Sequence, residues 1–423
     1  MNQVILPGPR RGTAEIPASK SRAHRLLICA ALTGRETELI CRGISRDIEA
    51  TVRCLRAMGH RIEIRGDRIR IQPGAEKPEH PAELRCGESG STLRFLLPVA
   101  GALGLEGSFF LEGRLPERPL QPLEDVLSEK GMRLEREGSE LRFSGRLRPG
   151  AYEIPGNISS QYVTGLLFAL PLLDGQSTLT VTGPIESADY IAMTEEALEQ
   201  FGIAPEKRDG VYHISPEALR TAAEENSPRV IRVEADWSSA AFPLAMGALS
   251  PEGVTVWPMN RDSRQGDRRI LSLLEEFGAR AETEEDRITL RRGTLRGMDI
   301  DASAIPDLVP VLAAVAAGAE GETVIRHAER LRLKESDRLQ STAEMLRGLG
   351  AEVRETADGL IIRGKTELRG GRVSSWNDHR IAMAAAVAAG LCREPVEITG
   401  AECTEKSFPG FWELMDGLKG GQA

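Results

Sequence analysis

Cysteine is scarce and scattered in this chain. Cys29, Cys41, Cys54, Cys86, Cys392 and Cys403 form no CxxC pair and lack the density that staples a small secreted domain. They read as reduced, structural thiols in a cytoplasm-like compartment. Histidine offers no metal set either: His24, His60, His80, His213 and His327 have no spacing that would complete zinc ligation around His379, so no metal is expected at Asn377-Asp-His-Arg380. There is no GxxxxGK loop and no GxGxxG after a strand, which removes the P-loop and dinucleotide-binding readings. Ser89-Gly90-Ser91 lacks the flanking glycines of a nucleophile elbow. No apolar run reaches the eighteen or so residues of a membrane helix, and Met1 to Ile5 is too short for a secretory signal. The expectation is a soluble, cytoplasmic protein without cofactor, nucleic-acid partner or membrane.

What is present is ordinary in bulk and unusual in arrangement. With 423 residues, 41% apolar and 28% charged, the chain has the material for two or more domains with full cores. A net charge of −9 argues against a general nucleic-acid surface but leaves room for small anions held by local cations.

Six times a helix-like segment runs into leucine, three residues and glycine: Leu55 to Gly59, Leu127 to Gly131, Leu198 to Gly202, Leu274 to Gly278, Leu346 to Gly350 and the degenerate Glu413 to Gly417. The glycines lie 72, 71, 76, 72 and 67 residues apart. Glycine tolerates the left-handed conformation that ends a helix, so each marks one stop. A second series, thirty to forty residues upstream, opens an apolar helix with polar residues: Ser19-Lys-Ser21, Ser89-Gly-Ser91, Ser159-Ser-Gln161, Ser238-Ser239, Pro306-Asp307 and Asn377-Asp-His379. The two series agree on six units of about seventy residues.

Alternating stretches at 60–72, 132–143, 204–214, 279–290 and 351–362 each contain a tight turn and read as β-hairpins. Each unit is then strand, helix, strand, helix, hairpin. Ser215 to Arg229, charged and bounded by Pro216 and Pro228, reads as a linker that divides the units three and three. The first fifteen or so residues precede the first marker and are free to pair with the second half.

The openings carry the chemistry. Free N–H groups at a helix start favour an anion, and Lys20, Arg25, Arg94, Arg118, Lys334, Arg338, Arg380 and Lys406 are interspersed among them. Lys334 and Arg338, four apart with Glu335 beside them, suit an anionic ligand plus a proton-transfer group. The plainer alternatives are that serine and aspartate simply cap helices and that the charges are a solvated face.

Taken together, Ala18-Ser-Lys-Ser21, Gly87 to Arg94, Glu117-Arg-Pro119, Ser159-Ser-Gln161, Ile305-Pro-Asp307, Leu333 to Leu339, Asn377 to Arg380 and Lys406 to Pro409 resemble the 5-enolpyruvylshikimate-3-phosphate synthase (3-phosphoshikimate 1-carboxyvinyltransferase) family along the whole chain. The resemblance implies an α/β (α+β) fold, a two-domain inside-out α/β barrel with three βαβαββ units per domain. It implies a discontinuous domain, 1–18 plus 230–423, an inserted domain, 19–229, and a cleft between them that closes on substrate.

The family's activity would transfer the enolpyruvyl group of phosphoenolpyruvate to the 5-hydroxyl of shikimate 3-phosphate, releasing phosphate, as a monomer without cofactor. Carried over by position, Lys20, Ser21, Arg25, Ser159, Ser160, Gln161, Ser187, Tyr190, Asp307, Arg330 and Lys334 resemble shikimate 3-phosphate contacts. Lys20, Gly90, Arg118, Gln161, Arg338, Arg380 and Lys406 resemble the phosphoenolpyruvate site. Asp307, Glu335 and Lys20 resemble the catalytic groups.

Two positions depart from the pattern: Glu88 and Arg330 stand where relatives commonly carry asparagine. Gly90, without a side chain, would admit phosphoenolpyruvate or the family's inhibitor glyphosate. Two rival readings differ in substrate or in class. A sister transferase acting on UDP-N-acetylglucosamine usually has a cysteine in the loop corresponding to Glu112 to Pro119, which has none here. A non-catalytic anion-binding repeat scaffold would gain nothing from Asp307 and Glu335 beside its cations.

Overall fold

The computed structural model describes residues 1–76, 78–225, 227–364 and 368–418. They form two compact units, Lys20–Val233 and a discontinuous unit of Met1–Ser19 with Glu234–Ala423. Val230, where the sequence suggested the second crossing, lies inside the strand Arg229–Arg232, and the division falls a few residues later. That strand pairs in parallel with Thr37–Ile40, so its backbone ladder keeps it in the inserted unit.

Three four-stranded sheets build the inserted unit, all to one pattern. In the second, Ala82–Gly87 runs parallel to Gly107–Leu111, which pairs antiparallel with Glu140–Gly145 and through it with Met132–Glu137. The third repeats this with Ala151–Pro155, Ser177–Thr182, Val211–Ile214 and Glu206–Arg208. The first uses Thr37–Ile40 and the hairpin Arg61–Arg65 with Arg68–Gln72, and takes its leading strand, Arg229–Arg232, from the far end of the unit.

The same substitution occurs in the discontinuous unit. Gly12–Glu15, from the start of the chain, leads the sheet of Val254–Trp257, Ile288–Arg291 and Arg280–Thr283. A further sheet holds Asp299–Asp301, Glu322–Arg326, Leu360–Arg363 and Glu352–Glu355. In the last, three-stranded sheet, Gly371–Ser374 and Val396–Thr399 meet Asn2–Ile5, which fills antiparallel the place that a hairpin strand has elsewhere. This explains the degenerate sixth repeat. Gly59, Gly131, Gly202, Gly278 and Gly350 have positive φ and turn the chain into a hairpin strand, whereas Gly417 lies inside the helix Phe411–Gly417, the last element among the described residues.

All five expected hairpins are observed. The supposed linker is not one: Pro216 occupies the first turn of a helix, Pro216–Glu224, capped by Ser215 and burying Leu219 and Ala222. Proline at that position costs no hydrogen bond, so its presence marked a start rather than a break.

The apolar helices form the middle of each unit. Lys20–Thr33, Gly90–Leu103 and Ser160–Ala169 are buried on nearly every face, as helices without a polar side must be. A Cβ on Gly165 would lie 2.2 Å from the Arg94 carbonyl, so glycine is what lets Ser160–Ala169 approach Gly90–Leu103 so closely. In the discontinuous unit Trp237–Ala248, Val309–Ala317 and His379–Ala388 play the same part in a core that includes Phe242, Phe277 and Phe411. The opening motifs therefore sit where buried helices begin.

Candidate active site

Each unit carries its own cluster at these helix starts. In the inserted unit, Lys20 begins Lys20–Thr33 and its Nζ meets Asp47 Oδ2 at 2.9 Å, from the first turn of the helix Arg46–Ala57. One turn on, Arg25 is fully buried. It donates from Nε to Thr194 Oγ1 (2.9 Å), from Nη1 to the Ser21 carbonyl (2.8 Å) and from Nη2 to the Tyr190 carbonyl (2.9 Å). Its guanidinium lies 5.2 Å from the Phe95 ring and 6.0 Å from that of Tyr190. Burial pushes its pKa down to about 9, which still leaves it charged at neutral pH.

Arg94 repeats this arrangement. Nη1 donates to Gln161 Oε1 (3.0 Å) and Nη2 to the Pro119 carbonyl (3.3 Å), while Gln161 Nε2 donates to Ser91 Oγ (2.9 Å). Burial lowers its pKa too. Among the described residues neither Arg25 nor Arg94 has a carboxylate partner. A buried cation satisfied only by neutral acceptors is costly, and an anionic ligand is what offsets that cost.

Gly90 lies between guanidiniums: a Cβ there would fall 2.5 Å from Arg94 Nη1 and 2.8 Å from Arg118 Nη1. Ser159 caps Ser160–Ala169, accepting from the Gln161 amide at 3.3 Å, and so fixes the turn that carries Ser160 and Gln161. Ser187 adopts φ 55° at the start of the helix Ala188–Gln200, one turn before Tyr190. A left-handed serine is strained, and such strain persists where the surroundings over-determine it.

The discontinuous unit has the opposite electrostatics. Asp307, in the short turn Pro306–Leu308, takes Arg338 Nη1 at 2.7 Å, Arg380 Nη2 at 3.3 Å and Lys334 Nζ at 3.7 Å. Arg338 also grips Asp378, from Nε at 2.7 Å and Nη2 at 3.2 Å, and lies 3.7 Å from Glu335. Asp378 is the cap of His379–Ala388 and accepts from the Arg380 amide at 3.0 Å. Glu335 Oε2 meets His379 Nδ1 at 2.9 Å. Burial alone would raise the Glu335 pKa, but His379, Arg338 and Lys406 outweigh it and hold the carboxyl well below its ordinary range. Lys406 Nζ donates to the Asn377 carbonyl at 2.7 Å.

Glu335, Asp378 and His379 present ligand atoms within 4.8 Å of one another, a grouping that sequence spacing did not reveal. The Asp378 oxygens already accept from Arg338, Ser336 and the Arg380 amide, so a guanidinium occupies the role a cation would take. Arg330 donates to the Ser303 carbonyl at 2.8 Å.

Several contributors escaped the sequence reading. Asp47 supports Lys20, and Asp378 with His379 braces Arg338 and Glu335. Asp267 accepts from Ser238, which in turn accepts from Arg380 Nη2 at 3.1 Å. Ser238 itself does not cap its helix; Asp236 does, accepting from the Ser239 amide at 2.8 Å. Asp378 was legible as a helix start, but its grip on Arg338 depends on packing. For Asp267 no local pattern existed.

Comparison with known proteins extends over nearly the entire chain. A 3-phosphoshikimate 1-carboxyvinyltransferase of Clostridium kluyveri is 42% identical over 98% of this chain and 97% of its own. One from Clostridium perfringens is 40% identical over 99% and 98%. Among solved structures, EPSP synthase from Acinetobacter baumannii superposes with a TM-score of 0.78 at 25% identity, covering 99% of this chain and 98% of that one. The enolpyruvyl transferase NikO from Streptomyces tendae, at 18% identity and a TM-score of 0.76, shares the fold. Residues 6–415 match the family described as EPSP synthase (3-phosphoshikimate 1-carboxyvinyltransferase), and the chain belongs to that family.

Proposed function

We infer that this chain transfers the enolpyruvyl group of phosphoenolpyruvate to the 5-hydroxyl of shikimate 3-phosphate and releases phosphate, in the shikimate route to aromatic amino acids. The observation that carries the reading is Asp307: a carboxylate beside Lys334, Arg338 and Arg380, in a chain matched to the family over almost its full length.

Both substrates are anions, and the cations divide accordingly. Arg25, Lys20, Ser21, Ser159, Ser160, Gln161, Ser187, Tyr190, Lys334 and Arg330 take shikimate 3-phosphate. Burial of Arg25 without a carboxylate supports a phosphate-reading role for it. Arg118, Arg338, Arg380, Lys406, Lys20 and Gln161 take phosphoenolpyruvate, whose carboxylate and phosphate suit the bidentate fork of arginine, and Gly90 leaves space for it.

The chemistry is addition followed by elimination. Asp307 accepts the proton of the 5-hydroxyl as that oxygen attacks C2, and C3 gains a proton, turning methylene into methyl. Loss of phosphate from the tetrahedral adduct then returns a proton from C3 and restores the double bond. Lys20 and Glu335, the latter held below its ordinary range by His379, Arg338 and Lys406, share the proton traffic at C3 and at the leaving phosphate.

The protein acts as a monomer in the cytoplasm on this reading. All six cysteines are buried as free thiols, which supports a reducing compartment. No helix among the described residues is long and apolar enough to cross a membrane. Mixing the protein with shikimate 3-phosphate and phosphoenolpyruvate is expected to release one phosphate per product. A folded sample that binds both and releases none returns the case to an anion-binding scaffold, and release only with UDP-N-acetylglucosamine returns it to the sister transferase.

A further inference from the structure

A chain of buried hydroxyls behind the Lys20 helix has no part in the reaction as written. His24, Thr51, Thr92 and Ser89 are all buried, on or at the start of the helices Lys20–Thr33, Arg46–Ala57 and Gly90–Leu103. His24 Nδ1 lies 2.6 Å from Thr51 Oγ1, Thr51 Oγ1 lies 2.7 Å from Thr92 Oγ1, and Thr92 Oγ1 donates to Ser89 Oγ at 2.8 Å. Ser89, the cap of the Gly90 helix, also accepts from the Thr92 amide at 3.3 Å.

The direction of every bond follows from counting protons. Thr92 has one hydroxyl proton and gives it to Ser89, so its contact with Thr51 is donated by Thr51. The Thr51 proton is then committed, and the remaining contact is donated by the ring. Burial, then Lys20 and Arg25 nearby, push the His24 pKa well below its ordinary value, so the imidazole is neutral and its single proton sits on Nδ1. Nε2 is enclosed with no hydrogen-bond partner among the described residues, and Phe95 stands edge-on to the ring at 6.3 Å. An all-apolar packing of these positions would avoid the cost of burying four polar groups, so a bare stability role accounts poorly for the chain. What it does achieve is registration: it ties three helices together, one turn beyond Lys20 and Asp47 and within the first turn that carries Gly90.

We propose that His24, Thr51 and Thr92 form a one-directional relay of positioning residues that holds Ser89, and with it the Gly90 turn, in the orientation that receives phosphoenolpyruvate. This rests on the assignment of Gly90 to phosphoenolpyruvate given above. The relay predicts an observable of the resting protein: His24 is the Nδ1–H tautomer, the minor form of free histidine.

Imidazole nitrogen shifts of the ¹⁵N-labelled protein, with His24 assigned by its loss in His24→Gln, read this directly. Expected are a protonated Nδ1 and an unprotonated Nε2. Thr51→Val, which keeps shape and breaks the relay, is expected to raise the KM for phosphoenolpyruvate about fivefold with kcat within about twofold, and Thr51→Ser to restore it. An Nε2–H tautomer overturns the relay and leaves the Gly90 assignment standing. An unchanged KM with only a lowered unfolding midpoint overturns the positioning role, and an effect confined to shikimate 3-phosphate overturns the inference through its premise. The tautomer is measured on the unaltered protein, so the relay stays open to refutation even where Thr51→Val does not fold.

Discussion

The two units treat the buried arginines of the candidate site in opposite ways. Arg25 and Arg94 of the inserted unit are held by carbonyls, a hydroxyl and an amide, with Arg94 Nε buried and unbonded among the described residues, whereas Arg338 of the discontinuous unit is held among Asp378, Asp307 and Glu335. On the proposed reading, the first arrangement keeps positive charge for a ligand, and the second balances it internally beside the carboxylates assigned to proton transfer. Arg25 and Arg94 lie on the apolar helices that open their repeats, whereas Arg338 begins the second helix of its repeat, Arg338–Gly348, with acidic side chains set beside it.

The acidic side chains are therefore where the largest effect is expected. Asp307→Ala is expected to lower kcat on the order of 10³-fold, within the range for removing a general base, while shikimate 3-phosphate binds within a few-fold of its original affinity. Phosphate release in stopped flow and calorimetric titration of shikimate 3-phosphate check the two halves. Near-normal turnover would assign the base to another residue and erase the functional contrast between the units.

Replacing the arginines themselves sharpens the comparison. Arg338→Met leaves Asp378 and Asp307 without their principal cation, and a loss of about 3–5 kcal/mol in unfolding free energy is expected. Arg25→Met strands no carboxylate, so its stability is expected to stay within about 1 kcal/mol or to rise, while shikimate 3-phosphate affinity falls on the order of 100-fold. Urea unfolding of the pair, with titration of the Arg25 variant, is the measurement. Equal losses of stability in both would show that Arg25 is a structural cation.

Much of this was legible in the chain before any coordinates. The helix stops at Gly59, Gly131, Gly202, Gly278 and Gly350 and the five hairpins follow from local chemistry, since a left-handed glycine and an alternating strand are short-range facts. The resemblance implied that the first residues join the second half, as Gly12–Glu15 does, whereas the return of Arg229–Arg232 to the inserted unit was not legible. Gly12–Glu15 and Arg229–Arg232 each pair with a strand outside their own stretch of chain, and pairing across such distances leaves no local trace. The site divides the same way. Lys334, Glu335 and Arg338 share one segment and could be read as a group, whereas Asp47 beside Lys20 and Asp267 behind Arg380 depend on packing.

A smaller effect is expected at Gly90, which tests the space kept for a ligand between two guanidiniums. The added methyl of Gly90→Ala meets Arg94 Nη1 and Arg118 Nη1 at distances that force both side chain ends to move. Phosphoenolpyruvate KM is expected to rise about tenfold, with glyphosate inhibition weakened at least as much and shikimate 3-phosphate KM little changed. Steady-state kinetics with each substrate varied separately distinguish this from a general loss of activity. An unchanged inhibition constant for glyphosate would remove Gly90 from the pocket.

The last effect concerns Asp267, a carboxyl near Arg380 whose surroundings oppose ionisation. Burial first, then the charge of Asp307, push its pKa up to about 6 from an ordinary value of 3.8, with Arg380 and Ser238 acting the other way. Because the folded pKa exceeds the unfolded one, this group's contribution to stability is complete below about pH 4 and is lost as pH rises through about 6. Glu335 has the opposite sign: its folded pKa is depressed, so its contribution is present above the ordinary carboxylate range and disappears as pH falls below it. The two windows do not overlap, which makes them separable. Asp267→Asn keeps an acceptor for Ser238 without the ionisation, and is expected to gain on the order of 1–3 kcal/mol over the parent at pH 7–8 and nothing near pH 4. Urea midpoints from pH 4 to 8 measure the slope. Parallel curves for parent and variant would mean that Asp267 ionises freely, and that the acid-rich side of the molecule carries no strained carboxyl to set against its balanced ones.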